Sequence, residues 1–527
     1  MNWKDRLELS PGVFFPAVIV IAVFVIIGVA FTETAEALFD AVQSGIVGNF
    51  GWLYVLSVAF FLFFVVVLFF SPWGSIRLGE DDSEPEYSYF SWFAMLFSAG
   101  MGIGLVFWSV AEPMFYFMDS PTVESQTAEA ASEAMRLTFF HWGVHAWAIY
   151  IVVGLSLAYF SFRKGLPLSI RSAFYPLLGD RIYGPIGHTV DVLAIFGTVF
   201  GVATSLGLGV MQVAAGLDFV LDLGLEDATG LQLLLIAGIT LVATVSVVAG
   251  LDKGIRRLSN FNISVAVILA LFVFAVGPTV FILNNWVENT GNYLQSLVET
   301  TFWIDAWGDG AWHGTWTLFY WGWWIAWSPF VGMFIARVSR GRTIREFIGG
   351  VLLVPAAFTT FWLTTFGNTG LYRELTGEGG IAGLGAEEML FALLQGFPLT
   401  LITSVLAMIV IIAFFVTSSD SGSLVIDMLA SGGNPDPPTI QRVFWALLEG
   451  LVAGVLLYAG GLAALQTAAI ATGLPFAVVL VFMCISLLKA LRSESRDRRT
   501  VRKVYPAKRS EADPGQQSAV TEGVSHE

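Results

Sequence analysis

The chain reads as an all-α polytopic membrane protein of about twelve transmembrane helices, with spans three to seven and eight to twelve as two inverted five-helix repeats. Three observations predict this. Of 527 residues, 56% are hydrophobic and 13% charged, with a mean hydropathy of +0.74, far more apolar than a soluble chain of that size. Apolar runs long enough to cross lipid recur along the whole sequence. Lys and Arg fall almost wholly in alternate loops: 24 of the 26 are cytoplasmic if the N-terminus is, leaving only Arg136 and Arg373 outside.

The first run, Pro11 to Phe31, is longer than a secretory signal core and has no small-residue cleavage site, so it reads as a span. Further spans centre near Phe61, Leu105, Ile149, Gly201, Thr240, Leu269, Trp324, Ala357, Ile409, Gly454 and Val479. An even number of spans returns the C-terminus to the cytoplasm, which places both termini on the cytoplasmic side of the cell (plasma) membrane. The third span carries AGMGIG (Ala99 to Gly104) and Ala111-Glu112-Pro113. The eighth carries Ser328-Pro329 and Gly332. Glycine and proline in corresponding hydrophobic segments point to discontinuous helices lining a site at mid-membrane depth. The segments expected are 1–85 (N-terminus and two-helix prelude), 86–285 (first repeat), 286–311 (extracellular connection), 312–488 (second repeat) and 489–527 (basic tail).

The net charge of −15 reads as loop solvation, since acids are spread over both sets of loops, Glu80, Asp81, Asp82 and Glu84 of the loop after the second span among them. The tail, with RRTVRK, is a positive-inside anchor that also suits anionic lipid. The single cysteine, Cys484, excludes an intrachain disulfide and a Cys-based metal site. Without a Walker A loop, nucleophile elbow or dinucleotide fingerprint, nothing supports ATP-driven transport, an enzyme, a cofactor or a nucleic-acid partner. His141 and His145 share a helix face at i and i+4, but with no HExxH pattern they read as packing or hydrogen-bonding residues, and no transition metal is expected.

Two aromatic stretches carry the chemistry: HWGVHAWAIY (His141 to Tyr150) and YWGWWIAWSPF (Tyr320 to Phe330). Helical spacing can put Trp142, Trp147 and Tyr150 around one broad face, and Trp323, Trp324 and Trp327 around another. Isolated Trp52 and Trp286 read as interfacial belt residues. Aromatic faces attract cations, and a cage of them suits a methylated ammonium, which has no N–H to donate. Neither stretch contains an acid, which fits a zwitterion; its carboxylate could take freed backbone N–H groups around Ala99 to Gly104. In FFVTSSDSGS (Phe414 to Ser423), hydroxyls with unwound carbonyls near Ser98 and Met101 could ligate sodium, a hard cation.

Together, GMGIG, the HWGVHAWAIY box and the run WGWWIAWSPFVGMFIARVSRGRTIREF (Trp321 to Phe347) resemble the betaine/choline/carnitine transporter family. The resemblance implies a LeuT-type fold, a homotrimer, alternating access and no cofactor beyond sodium as coupling ion. It implies a substrate cage of Trp142, Trp147, Tyr150 and Trp324, with Trp323 and Trp327 flanking the path, Ser205 at the carboxylate end, and Ala99 and Met101 at the site. One sodium would sit among Ser98, Met101, Phe414, Thr417 and Ser418, and a second near Thr198 and Phe330, where Val202 replaces a hydroxyl of sodium-coupled relatives. Gly104, at a position where proton-coupled choline carriers place an aspartate, points to sodium and a zwitterion such as glycine betaine, taken up for osmoprotection. Ectoine, proline or choline carriage is the alternative within transport; a non-concentrative channel or an osmosensing receptor is the alternative outside it.

Overall fold

Lipid offers no partner to a bare N–H or C=O, so a chain this apolar must satisfy its backbone within helices or a closed barrel. The computed structural model describes residues 7–504, apart from 101, 226, 250–253 and 309. Among them every named element is helical, and extended pairing is confined to one antiparallel bridge between Arg77 and Thr343.

The elements that position the site are α1 (Pro11–Ala30), α2 (Thr32–Phe70), α3 (Tyr89–Gly100), α4 (Ile103–Met118), α5 (Ala128–Trp142) and α6 (Val144–Ala158). They are followed by α7 (Pro185–Leu221), α8 (Thr229–Ala249), α9 (Gly254–Val276) and α10 (Thr279–Phe302). The last are α11 (Thr317–Arg337), α12 (Ile344–Leu363), α13 (Thr400–Ala430) and α14 (Thr439–Val504). By length and composition, eight helices among the described residues can cross a membrane, or nine if the pair Asn260–Val276 and Thr279–Phe302, bent by 109°, is one span. The short apolar α4 and the tryptophan-rich α11 are not among those eight. The long α14 is broken at Gly460 and Gly461, where φ/ψ of 176/15° and 56/−135° leave the helical region. On α8, Leu234, Leu241 and Val245 are exposed, as expected of side chains facing lipid. The boundary expected at 285/286 falls within α10, and residues 505–527 of the basic tail lie outside the described residues.

Not every predicted break occurs, and one occurs that the sequence did not predict. The third span is interrupted as expected, with Gly102 in extended conformation ahead of α4. The break expected in the eighth span is absent. There α11 runs unbroken through Pro329, because Ser328 Oγ donates at 2.7 Å to the Ile325 carbonyl that Pro329, lacking an N–H, cannot serve. A break not expected from sequence divides HWGVHAWAIY at Gly143, whose φ/ψ of −88/−142° separates α5 from α6. The Val144 N–H released there donates to Tyr293 Oη of α10 at 3.1 Å. A Cβ at Gly143 would lie 2.5 Å from both Phe139 O and Tyr293 Oη, so only glycine fits.

The two aromatic stretches meet because α6 and α11 cross closely. A Cβ on Gly154 would lie 3.1 Å from the Gly332 carbonyl, and one on Gly332 would lie 2.5 Å from Val153 Cβ. Without a hydrophobic drive between helices in lipid, such small-residue contact is what lets backbones approach. On the other side of α11, a Cβ on Gly197 of α7 would lie 3.0 Å from Ala326 O. Replacing Gly332 by leucine is expected to force these helices apart, at about 1–3 kcal/mol for overpacking. The melting midpoint of the purified protein in detergent should fall, and an unchanged midpoint would contradict this crossing.

Candidate functional site

The α5–α6 break and the α6–α11 crossing bring the predicted aromatics together. Trp142 and Trp324 stand edge to face with ring centroids 4.8 Å apart, and Trp142 meets Trp323 at 6.2 Å. Tyr150 lies 6.3 Å from Trp324 and 6.5 Å from Trp327. Trp323 and Trp324 stack at 4.7 Å. Trp147 joins through Tyr150, 5.5 Å away. All six are buried.

The glycines of the third span have a geometric role here. A Cβ at Gly102 would lie 2.9 Å from Trp327 Cη2 and 4.0 Å from Ser418 Oγ, and one at Gly104 would collide with the Trp323 ring. Neither indole could keep its place beside a larger residue, so an aspartate at 104 would require Trp323 to move. The side chains of Ser98 and Ala99, and Met101 altogether, lie outside the described residues.

Beneath the aromatics lies a carboxyl group that the aromatic-centred reading passed over. Glu112, fully buried on α4, accepts from Trp142 Nε1 at 2.6 Å and Tyr320 Oη at 2.5 Å on Oε2. Its Oε1 lies 3.0 Å from both Tyr116 Oη and His141 Nδ1. With Thr317 Oγ1 3.1 Å from His141 Nε2, the hydrogen-bond pattern suits Nδ1–H donating to the carboxyl and Nε2 accepting from the threonine. His145 is engaged elsewhere, with Nε2 2.8 Å from Thr301 Oγ1. The available signal was an acid within an apolar span, which in a membrane marks function by default. In the sequence it was read only as part of a Glu-Pro discontinuity.

Hydrogen bonds also bear on the electron density of two of these rings. Trp142 donates to Glu112 and Trp324 donates its Nε1–H to His141 O at 2.8 Å. Acceptors on the indole N–H polarise electron density toward the ring faces that would meet a cation. In contrast, Tyr150 Oη, Trp323 Nε1 and Trp327 Nε1 are buried with no hydrogen-bond partner among the described residues.

The predicted sodium ligands other than Met101 fall on α3, α7, α11 and α13. Thr417 Oγ1 donates to its own helix, sharing Ala413 O at 3.0 Å and Phe414 O at 3.1 Å. Ser418 faces Gly102 across the third-span break. Thr198 Oγ1 donates to Ala194 O at 2.8 Å and Ser205 Oγ to Gly201 O at 3.3 Å, both on α7. Phe330 packs on Trp327, centroids 5.5 Å apart. Val202 fills its position by packing toward α13, where a Cβ on Gly422 would lie 3.0 Å from Val202 Cγ2.

The pattern of a betaine/carnitine/choline family transporter matches residues 12–496. An uncharacterised transporter of Mycobacterium tuberculosis is 51% identical over 493 residues, 92% of this chain and 83% of that protein. A glycine betaine transporter of Bacillus subtilis is 46% identical over 490 residues, 92% of this chain and 95% of its own. A glycine betaine/proline/choline/ectoine transporter of Vibrio parahaemolyticus is 46% identical over 489 residues, 90% and 86% of the two chains.

Replacing Glu112 by alanine leaves the Trp142 and Tyr320 donors buried without an acceptor, at about 1–3 kcal/mol each. The melting midpoint and the near-ultraviolet dichroism of the tryptophans should both fall, with Glu112→Gln intermediate. A Glu112→Ala protein with unaltered dichroism would contradict this role.

Proposed function

We propose, from the premise that this chain belongs to the betaine/carnitine/choline family of transporters, that it imports glycine betaine or a similar quaternary-ammonium compatible solute by sodium-coupled symport. The observation that carries the reading is the buried cluster of Trp142, Tyr150 and Trp324, whose ring faces suit a methylated ammonium. The substrate's carboxylate is assigned to Ser205 and to the backbone at the third-span break, with Ala99 and Met101 beside it. Unpartnered Tyr150 Oη and Trp327 Nε1 supply further polar groups at the same depth.

The architecture that goes with this is twelve spans in a LeuT-type arrangement, counting the broken α3–α4, α9, α11 and the two halves of α14 as spans. Both termini are assigned to the cytoplasm of a plasma-membrane protein serving osmoprotection. Spans three, four, eight and nine rock as a bundle to expose the site alternately. One sodium is assigned to Thr417 and Ser418 with carbonyls of Ser98, Met101 and Phe414; the second position, near Thr198 and Phe330, lacks a hydroxyl at Val202. Each sodium entering with a neutral zwitterion contributes about 2.3 kcal/mol per 100 mV. Since about 1.4 kcal/mol is tenfold, one ion can sustain considerable accumulation. A homotrimer is supported by α10, where Val280, Val287 and Leu294 form an exposed seven-residue-spaced stripe on a helix bent away from the span before it.

A second reading is carriage of several compatible solutes, favoured by the printed substrates of the Vibrio parahaemolyticus relative. In liposomes, radiolabelled glycine betaine should accumulate under an inward sodium gradient and not in potassium-only or proton-gradient controls. Sodium-independent equilibration would contradict symport and indicate a channel; binding without exchange would indicate a receptor. Uptake of ectoine, proline or choline alone would overturn the substrate. Trp324→Ala should weaken betaine affinity more than tenfold, in line with about 2 kcal/mol for a desolvated cation–π contact.

A further inference from the structure

Away from the aromatic site, Glu449 of α14 is a fully buried carboxyl in the part of the helix that precedes the break at Gly460. Ser419 Oγ of α13 donates to its Oε2 at 3.0 Å, while its Oε1 has no partner among the described residues. The charge that acts on it is a second acid, Asp420 of α13, whose Oδ2 takes Ser246 Oγ of α8 at 2.8 Å. Arg442, two turns earlier on α14, acts on Asp420 and Asp427 instead. A carboxylate in a membrane interior persists only when it is paired, so a bare oxygen at this depth calls for a cation.

The direction of that oxygen is fixed by a glycine. A Cβ on Gly422 of α13 would lie 2.9 Å from Glu449 Oε1 and 3.0 Å from Val202 Cγ2 of α7. The bare oxygen and the valine methyl therefore meet at one point on α13, with no side chain between them. Val202 lies one turn beyond Thr198 and is the position that lacks the hydroxyl expected of the second sodium site. An oxygen is thus missing on α7 where an unused one on α14 faces the same spot. The nearby hydroxyls are also free to accept. Thr198 gives its proton to Ala194 O and Ser419 gives its own to Glu449, which leaves lone pairs on both oxygens for a cation.

We propose that Glu449 supplies the missing ligand: its carboxylate, with the hydroxyls of Thr198 and Ser419, holds the second coupling sodium beside Val202. Sodium is a hard cation that takes oxygen ligands, and an anionic oxygen binds it more tightly than the neutral hydroxyl it replaces. The ion in turn neutralises a carboxylate that has no other cation to pair with. The proposal deepens the sodium-symport reading above and rests on it. Two sodium ions then enter with each zwitterion, so two positive charges move per solute.

Binding of radioactive sodium to the purified protein, counted per protomer without any solute, tests this. Wild type should hold two ions and Glu449→Gln one. Glu449→Gln combined with Val202→Thr should hold two again, because the hydroxyl restores a ligand at the same place; a carboxyl with a merely structural role would not be replaced from α7. A wild type that holds one ion, or a Glu449→Gln protein that still holds two, overturns the proposal while leaving sodium coupling intact. A wild type that holds none overturns the sodium reading together with it, so the two failures are distinguishable. Where Glu449→Gln does not fold, Val202→Thr alone serves. An added ligand should lower the sodium concentration for half-saturation several-fold, and an unchanged value overturns the proposal.

Discussion

A single buried carboxyl organises the centre of this protein. Glu112 of α4 gathers His141 and Trp142 from the end of α5, Tyr320 from α11 and Tyr116 from its own helix, so that three helices share one acceptor. An acid inside a membrane is tolerable only when its lone pairs are occupied, and here four donors or potential donors surround it. The same bonds set the orientation of Trp142, and through the edge-to-face contact, of Trp324. Glu112 is thus a positioning residue, holding Trp142 and Tyr320 in place.

Backbone breaks supply the second constraint, and at Gly143 and Pro329 local chemistry takes up the groups left without helical partners. Tyr293 captures the amide released at Gly143, while Ser328 captures the carbonyl abandoned at Pro329, so one helix divides and the other remains whole. Division at Gly143 turns Trp142 toward Glu112 and Trp324, while Trp147 and Tyr150 start a new helix that Gly154 and Gly332 seat against α11. Glycines at 102 and 104 then admit the indoles of Trp327 and Trp323. The aromatic box is therefore a product of where glycine permits close approach as much as of the tryptophans themselves.

Much of this was legible beforehand. Apolar runs announced a membrane protein, and the clustering of Trp142, Tyr150, Trp323, Trp324 and Trp327 identified the residues that the fold brings together. What periodicity hid was tertiary in origin. A proline predicts a lost hydrogen bond but not whether a neighbouring serine restores it, so Ser328-Pro329 resembled a break. Gly143 sits within a run that is otherwise helical by pattern, and its role depends on Tyr293, some 150 residues later. Glu112 stood outside both aromatic stretches, so a search for acids within them could not find the carboxyl that connects them.

The central claim is that aromatic faces, rather than a carboxylate, recognise a methylated ammonium. Binding of glycine betaine, dimethylglycine, sarcosine and glycine to the purified protein, followed by tryptophan fluorescence at constant sodium, tests it most directly. Affinity should fall at each lost methyl group, as N–H groups appear that the cage cannot accept and must desolvate. Equal affinity across the series, or tighter binding of glycine, would contradict the account.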